Sequence, residues 1–200
     1  MTLLEPIPCE MLREASSLVL ETERLVLRAP RFEDAKQICT LANDRALAEN
    51  TARIPHPYRL ADAEAFVAQS SRDDVETNFL VTRPDGTIVG ACGLHRRDTA
   101  APEIGYWAGL AFRGNGYATE AVRAVIDWAF AEGAYEALRA GARVTNPGSR
   151  RVLEKCGFQW TGVGLYRIRA LASSAPIDRF RLDRGIWMSL KAWRPVRQLA

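Results

Sequence analysis

The stretch Ala111–Val122, AFRGNGYATEAV, decides how this chain is read. Gly114 and Gly116 flank Asn115, the polar pair Thr119–Glu120 follows, and an apolar helical pattern then begins. A glycine turn that opens a helix has two physical readings. In one it is an ordinary turn, with Thr119 in a capping role. In the other it is a phosphate cradle. Successive backbone N–H groups converge on an anion, and the helix adds its free N–H groups and positive dipole end. Gly114 and Gly116 then let phosphate oxygens approach without a Cβ in the way, and Arg113 adds charge. From these residues alone the two readings stand level.

Rival phosphate motifs fit poorly. No Gly-Lys-Ser/Thr triplet is present, which removes the P-loop. GNGYAT matches a dinucleotide fingerprint only weakly. That fingerprint needs a parallel βαβ unit and an acid near the end of its second strand. Here the preceding strand belongs to a meander, and ALRAGARV (137–144) ends without an acid.

Working outward, RLVLRAP (24–30) alternates and reads as a strand, and FEDAKQICTLAN (32–43) has helical spacing at Phe32, Ala35, Ile38, Cys39 and Ala42. IPHPYRL (54–60) is a loop and ADAEAFVAQSSRD (61–73) a second helix. NFLVTR (78–83) and TIVGACGLHR (87–96) form a hairpin around Pro84-Asp85-Gly86, and EIGYWAGL (103–110) is a third meandering strand. The helix after the opening stretch presents Ala118, Val122, Val125, Ile126, Ala129 and Phe130 on one face. ALRAGARV is a strand, SRRVLEKC (149–156) a short helix, and GFQWTGVG (157–164) a further strand; the last strand falls within RFRLDRGIWMSL (179–190). ALASSAP (170–176) is the expected mobile loop. The order predicts a mixed α/β (α+β) fold with helices on a mostly antiparallel sheet. Residues 1–20 read as an N-terminal extension and 21–200 as a single domain.

The totals narrow the function. The chain has 200 residues, 48% hydrophobic and 26% charged, with a formal net charge of +3. It can bury roughly 70% of its unfolded surface, so it needs no staple to fold. The charge is mild and no basic stripe suggests a nucleic-acid partner. Cys9, Cys39, Cys92 and Cys156 are scattered, with no metal-ligand spacing, so no metal is expected; Cys156 reads as a small core residue. No stretch suits a membrane span or a signal peptide, and the expectation is a soluble cytoplasmic protein, monomer or homodimer.

RGNGYA also fits the R/Q-x-x-G-x-G/A signature of the GNAT superfamily of N-acetyltransferases, as Arg113-x-x-Gly116-x-Ala118. ETERLVLRAP, EIGYWAGLAFRGNGYATEAV and NPGSRRVLEKCGF resemble the Rim-type branch of that superfamily, which includes acetyltransferases acting on ribosomal-protein N-termini. The resemblance runs from Glu21 to Phe158, and MSLKAWR (188–194) resembles the branch's closing segment more loosely. It implies a central, mostly antiparallel seven-stranded sheet flanked by helices. It implies acetyl-CoA as acyl donor, held along Leu110, Phe112, Arg113, Gly114, Asn115, Gly116, Tyr117, Ala118 and Thr119, with the pyrophosphate on the loop's backbone N–H groups. The strand ending near Leu110 would splay from its neighbour to admit the pantetheine arm. A backbone N–H near Ala108–Leu110 would stabilise the tetrahedral oxyanion, an effect worth ~3 kcal/mol.

The resemblance assigns Glu103 as general base for the acceptor ammonium, against the plainer reading of a strand-edge acid. It places Asn146 near the pantetheine arm and gives Ser149 a hydrogen bond to the departing thiolate. The residues alone also read as an N-cap followed by Pro147 at the first helical position. One departure stands out: many family members carry a tyrosine acid where this chain has Leu153. Tyr106, Tyr117 and Tyr166 read as packing or rim residues, His56 as surface, His95 as lacking an identifiable partner, and Arg150–Arg151 as within reach of the CoA 3′-phosphate on charge alone. The implied acceptor is a primary amine, a protein N-terminus or a small molecule such as an antibiotic. A non-catalytic acyl-CoA-binding module is the alternative.

Overall fold

A strand that is apolar on both faces must lie between two layers, and Ile88–His95 is such a strand: every residue from Ile88 to Leu94 is buried. It lies inside an eight-stranded sheet in a computed structural model that describes residues 18–70, 76–96, 101–133 and 135–193. In chain order the elements are β1 (Leu20–Glu21), β2 (Val26–Arg28), α1 (Ala35–Ala42), α2 (Arg45–Glu49), α3 (Leu60–Ser70), β3 (Glu76–Thr82), β4 (Ile88–His95), β5 (Glu103–Ala108), α4 (Tyr117–Glu132), β6 (Ala137–Arg143), α5 (Pro147–Lys155), β7 (Gln159–Ile168), β8 (Ser173–Asp183) and α6 (Arg184–Trp193). The sheet order is β1-β2-β3-β4-β5-β6-β8-β7, and β5–β6 is the one parallel pair among these.

Helices α1 and α3 cover one face of β2–β4, where Ile38, Ala63, Val67, Leu80 and Ile88 pack together. On the other face α4 lies across the sheet through Val122, Val125, Ile126, Ala129 and Phe130, against Leu27, Phe79, Val89 and Leu138. Phe79 meets the Trp128 ring edge-on with centroids 5.5 Å apart. α6 joins this layer: Trp187 stacks near Phe130 at 5.1 Å and donates its indole N–H to Asp127 at 2.6 Å. Arg184 caps the far end of α4, donating to the carbonyls of Phe130, Gly133 and Tyr135 at 2.6–2.8 Å.

Four expectations change. The sheet has eight strands, not seven, because Leu20–Glu21 adds a short edge strand paired to Leu27 and Val26. Only 18–20 of the proposed N-terminal extension lie within the described residues. The stretch 170–176 is a tight turn running into β8, with Ala175 buried, rather than a loop. The last strand, expected within 179–190, begins earlier at Ser173 and takes only 179–183 of that stretch: the alternation of RFRLD ends, and from Arg184 the chain is helical, with Ile186, Trp187 and Leu190 at helical spacing. Helix α2 was not foreseen; Asp44 caps it, accepting from Leu47 N at 2.7 Å. No helix among the described residues is long and apolar enough to cross a membrane.

Candidate active site

The parallel pair β5–β6 joins only at Glu103↔Arg139 and Ile104↔Ala140. β5 continues to Ala108 and β6 to Arg143 without further pairing, so the two strands part and leave a gap in mid-sheet. Arg139 N donates to Pro102 O at 2.8 Å, which fixes which edge of β5 faces β6. Backbone groups alternate between edges along a strand, so those of Tyr106 and Ala108 face the gap. The expected splay is present, with a backbone N–H at Ala108 beside it.

The loop Arg113–Gly116 ends β5's excursion and opens α4. Gly114 and Gly116 hold φ of +80° and +82°, a left-handed conformation that side chains resist. Gly116 is the N-cap residue and no side chain caps the helix, so the Thr119 capping role is not realised. Among the described residues no acceptor takes up the backbone N–H groups from Gly114 to Thr119. That row of open donors at a helix start is what a pyrophosphate needs. Arg113 does not add free charge as expected: it donates to Ala108 O at 3.2 Å and pairs with Asp44 at 3.5 Å, tying the loop to β5. Leu110 is two-thirds exposed, and Phe112 packs on the main core.

A clasp that sequence reading missed steadies the loop from outside. Arg24 donates to Asn115 O at 3.1 Å, lies 5.0 Å from the Tyr117 ring centroid, and pairs with Glu120 at 2.7 Å. Glu120 also accepts from Thr22 Oγ1 at 2.6 Å and Arg24 N at 2.9 Å. Burial alone would raise the Glu120 pKa, but these donors outweigh it and hold the carboxyl below its usual range.

On the α4–α5 face of the gap stands Tyr106. Its hydroxyl lies 2.8 Å from Ser149 Oγ and 3.0 Å from Ser149 O. The carbonyl can only accept, so the phenol proton goes there and the Ser149 hydroxyl donates to the phenol oxygen in one consistent assignment. Burial pushes the Tyr106 pKa up, only partly offset by Ser149, so the phenol stays protonated. Tyr106 is therefore not simple packing, as the sequence suggested. Leu153, at the position of the absent tyrosine, is fully buried. Asn146 holds Ser149 in place: it caps α5 by accepting Ser149 N at 3.1 Å.

Glu103 lies on the opposite face, by strand alternation. A Cβ built at Gly141 would lie 3.9 Å from its Oε1, so the carboxylate is placed near where the strands part. Adjoining cavities of about 470 and 480 Å³ open there, sharing Glu103, Arg139, Tyr166 and Arg179. His95 and Arg167 line the first of them, which corrects the reading of His95 as isolated. Arg150 pairs with Glu154 at 2.9 Å and Asp178 at 3.3 Å.

Residues 24–159 match the family described as Acetyltransferase (GNAT) domain. The chain belongs to the GNAT acetyltransferase family. It is 37% identical over 100 residues to the "Probable N-acetyltransferase YjcK" of Bacillus subtilis (strain 168). That match takes in 48% of this chain and 55% of YjcK, so the chain spans about half that relative's length. The GNAT fold is shared with the microcin C7 self immunity acetyltransferase MccE, solved with acetyl-CoA and AMP, at TM-score 0.72 and 21% identity over 81% of this chain and 93% of that one. It is shared also with RimL, a ribosomal L7/L12 alpha-N-protein acetyltransferase solved with coenzyme A, at TM-score 0.73 and 16% identity over 83% of this chain and 98% of that one.

Proposed function

We propose that this GNAT protein moves an acetyl group from acetyl-CoA to a primary amine by direct attack, with donor and acceptor bound together. The observation that carries this is the row of open N–H groups at Gly114–Thr119 beside a gap that has Glu103 on one face and Tyr106–Ser149 on the other. Acetyl-CoA, when bound, supplies an acetyl thioester. Gly114–Thr119 hold its pyrophosphate, and the N–H at Ala108 faces the gap to polarise the thioester carbonyl. Glu103 takes a proton from the acceptor ammonium, directly or through water, which frees the nitrogen lone pair for attack. The nitrogen–carbonyl bond forms, the carbon–sulfur bond breaks, and the Tyr106–Ser149 pair gives the departing sulfur its proton. Glu103 then returns a proton through solvent to the pair. Resemblance to the Rim-type branch makes a protein N-terminal amine one acceptor; a small amine is the other.

Calorimetric titration with acetyl-CoA, on the wild type and Gly116→Trp, tests the donor site. Saturable binding to the wild type alone is expected. Binding equal in both would move the donor away from this loop. Turnover with a panel of amines then tests Glu103. The Glu103→Gln variant is expected to bind acetyl-CoA normally and lose ~10²-fold or more in kcat. A protein that binds acetyl-CoA and turns over no amine, with no effect of the Gln variant, is an acyl-CoA-binding module instead.

A further inference from the structure

We propose that the acceptor carries an anionic group, a carboxylate or a phosphate, close to its amine, and that Arg139 and Arg179 bind it in the cavity beside Glu103. This rests on the acetyl-transfer reading above and names its acceptor class.

Several arginines in this protein are partnered with acids. Arg24 pairs with Glu120, Arg28 with Asp34, Arg45 with Glu49, Arg83 with Asp85, Arg150 with Glu154 and Asp178, and Arg181 with Asp183. The cavity arginines differ. The Arg139 side chain makes no hydrogen bond or ion pair with any described residue, and the Arg179 side chain has only the Tyr166 ring, 5.9 Å from its guanidinium carbon. They come from two strands, β6 and β8, yet line one cavity of about 470 Å³ whose sole described carboxylate is Glu103. Two guanidinium charges meet one carboxylate there, an excess of one positive charge.

Register explains the convergence. Glu103 neighbours Arg139 across β5–β6, and Arg179 stands opposite Gly141, two residues along from Arg139 on the same face. No helix covers this part of the sheet. The Arg179 guanidinium lies over Gly164, where a Cβ would collide with it. The bare glycine thus fixes the guanidinium's place.

Unpaired guanidinium groups lining a concave surface focus a positive potential and attract anions. Their planar donors suit the paired oxygens of carboxylate and phosphate. An acceptor amine arrives as ammonium and would be repelled here unless a negative group on the same molecule offset the arginines. A polycationic amine meets only the repulsion.

The test uses the whole chain with CoA or acetyl-CoA at saturation, so that Gly114–Thr119 is occupied. Ethanolamine, β-alanine, O-phosphoethanolamine and spermidine are compared in binding and in thiol release. An acidic and a basic tetrapeptide with free N-termini distinguish a peptide source of the negative charge from a small molecule. Expected are a kcat/KM and an affinity about tenfold or more higher for anionic acceptors than for ethanolamine, with spermidine lowest. Arg139→Gln and Arg179→Gln raise KM for anionic acceptors by a similar factor, improve binding of ethanolamine and spermidine, and leave acetyl-CoA binding unchanged. Gly164→Ala, which keeps every charge, has the Arg179→Gln effect. Ethanolamine or spermidine bound as well as the anionic amines, or arginine variants that weaken all acceptors alike, would overturn the proposal. Failure of the acetyl-transfer reading is a different result: no acetyl-CoA binding, or no thiol release, with the acceptor-binding comparison still deciding the charge preference.

Discussion

The two sides of the β5/β6 gap are built differently. On the β1–β5 side, β4 is buried from Ile88 to Leu94 between α1 and α3 on one face and α4 on the other. On the β6–β8–β7 side much of this cover is missing: Ile168, Ala175 and Ile177 form only a small buried cluster, and β7 exposes Gln159, Trp160, Thr161, Val163, Leu165 and Arg167. A strand covered on both faces admits only small or apolar side chains, as Gly90, Ala91, Cys92 and Gly93 show. Charged side chains collect where cover is missing. The candidate base sits at the boundary, on the last strand of the covered half, facing the arginines of the uncovered one.

The largest expected difference between the halves is in core truncation. Phe79→Ala, in the covered half, should lose ~3–5 kcal/mol of unfolding free energy in a denaturant titration. Leu165→Ala, at a side chain 73% exposed, should stay within ~0.5 kcal/mol. Equal losses would mean that the β7 face is covered in solution.

A pair of glycines sharpens the contrast. A Cβ at Gly90 would run into the Trp107 carbonyl on the adjoining strand, where backbone cannot yield, so Gly90→Ala should lose ~1–3 kcal/mol or more. A Cβ at Gly141 would meet the Ile177 Cγ2 methyl at 2.9 Å, which can turn aside. Gly141→Ala should therefore remain nearly as stable as wild type in the same titration. Its effect should appear in kcat instead, because the new methyl sits beside the Glu103 carboxylate.

The smallest effect concerns alkaline pH. Burial pushes the Tyr58 pKa to about 12, while an unfolded tyrosine titrates near ~10. The folded state then holds its proton where the unfolded state has released it, so the stabilising contribution is complete below about pH 10 and is lost as pH rises toward about 12. Tyr58→Phe should flatten that part of the stability curve, measured by unfolding at about pH 8 and about pH 11. Unchanged alkaline sensitivity in the variant would place the titrating group elsewhere, with Tyr106, also raised by burial, as the next residue to replace.

Much of the fold was legible because its signals are local. The hairpin at Pro84-Asp85-Gly86, the helical face of α4 and the Asn146–Pro147 start of α5 each depend on residues within a few positions. The misreadings have physical causes. RFRLD alternates as a strand should, and nothing within it announces that helix α6 follows at once. Leu20–Glu21 is too short to carry a period, and is a strand only because β2 lies alongside it. At the site, Glu103 and the glycine loop were visible as motifs. Tyr106 was not, since its role comes from a hydroxyl on another element.

By itself the sequence determined the glycine loop at a helix start, the mixed α/β element order, the carboxylate at Glu103 and the capped start of α5. Each follows from backbone preference, side-chain period or a short motif. Tertiary structure decided the rest: Tyr106 against Ser149, 43 positions away, Arg24 against Glu120, 96 away, and the unpaired arginine side chains of β6 and β8 around one cavity. Strand parity sends each side chain to one face, but only pairing register sets which side chains meet there.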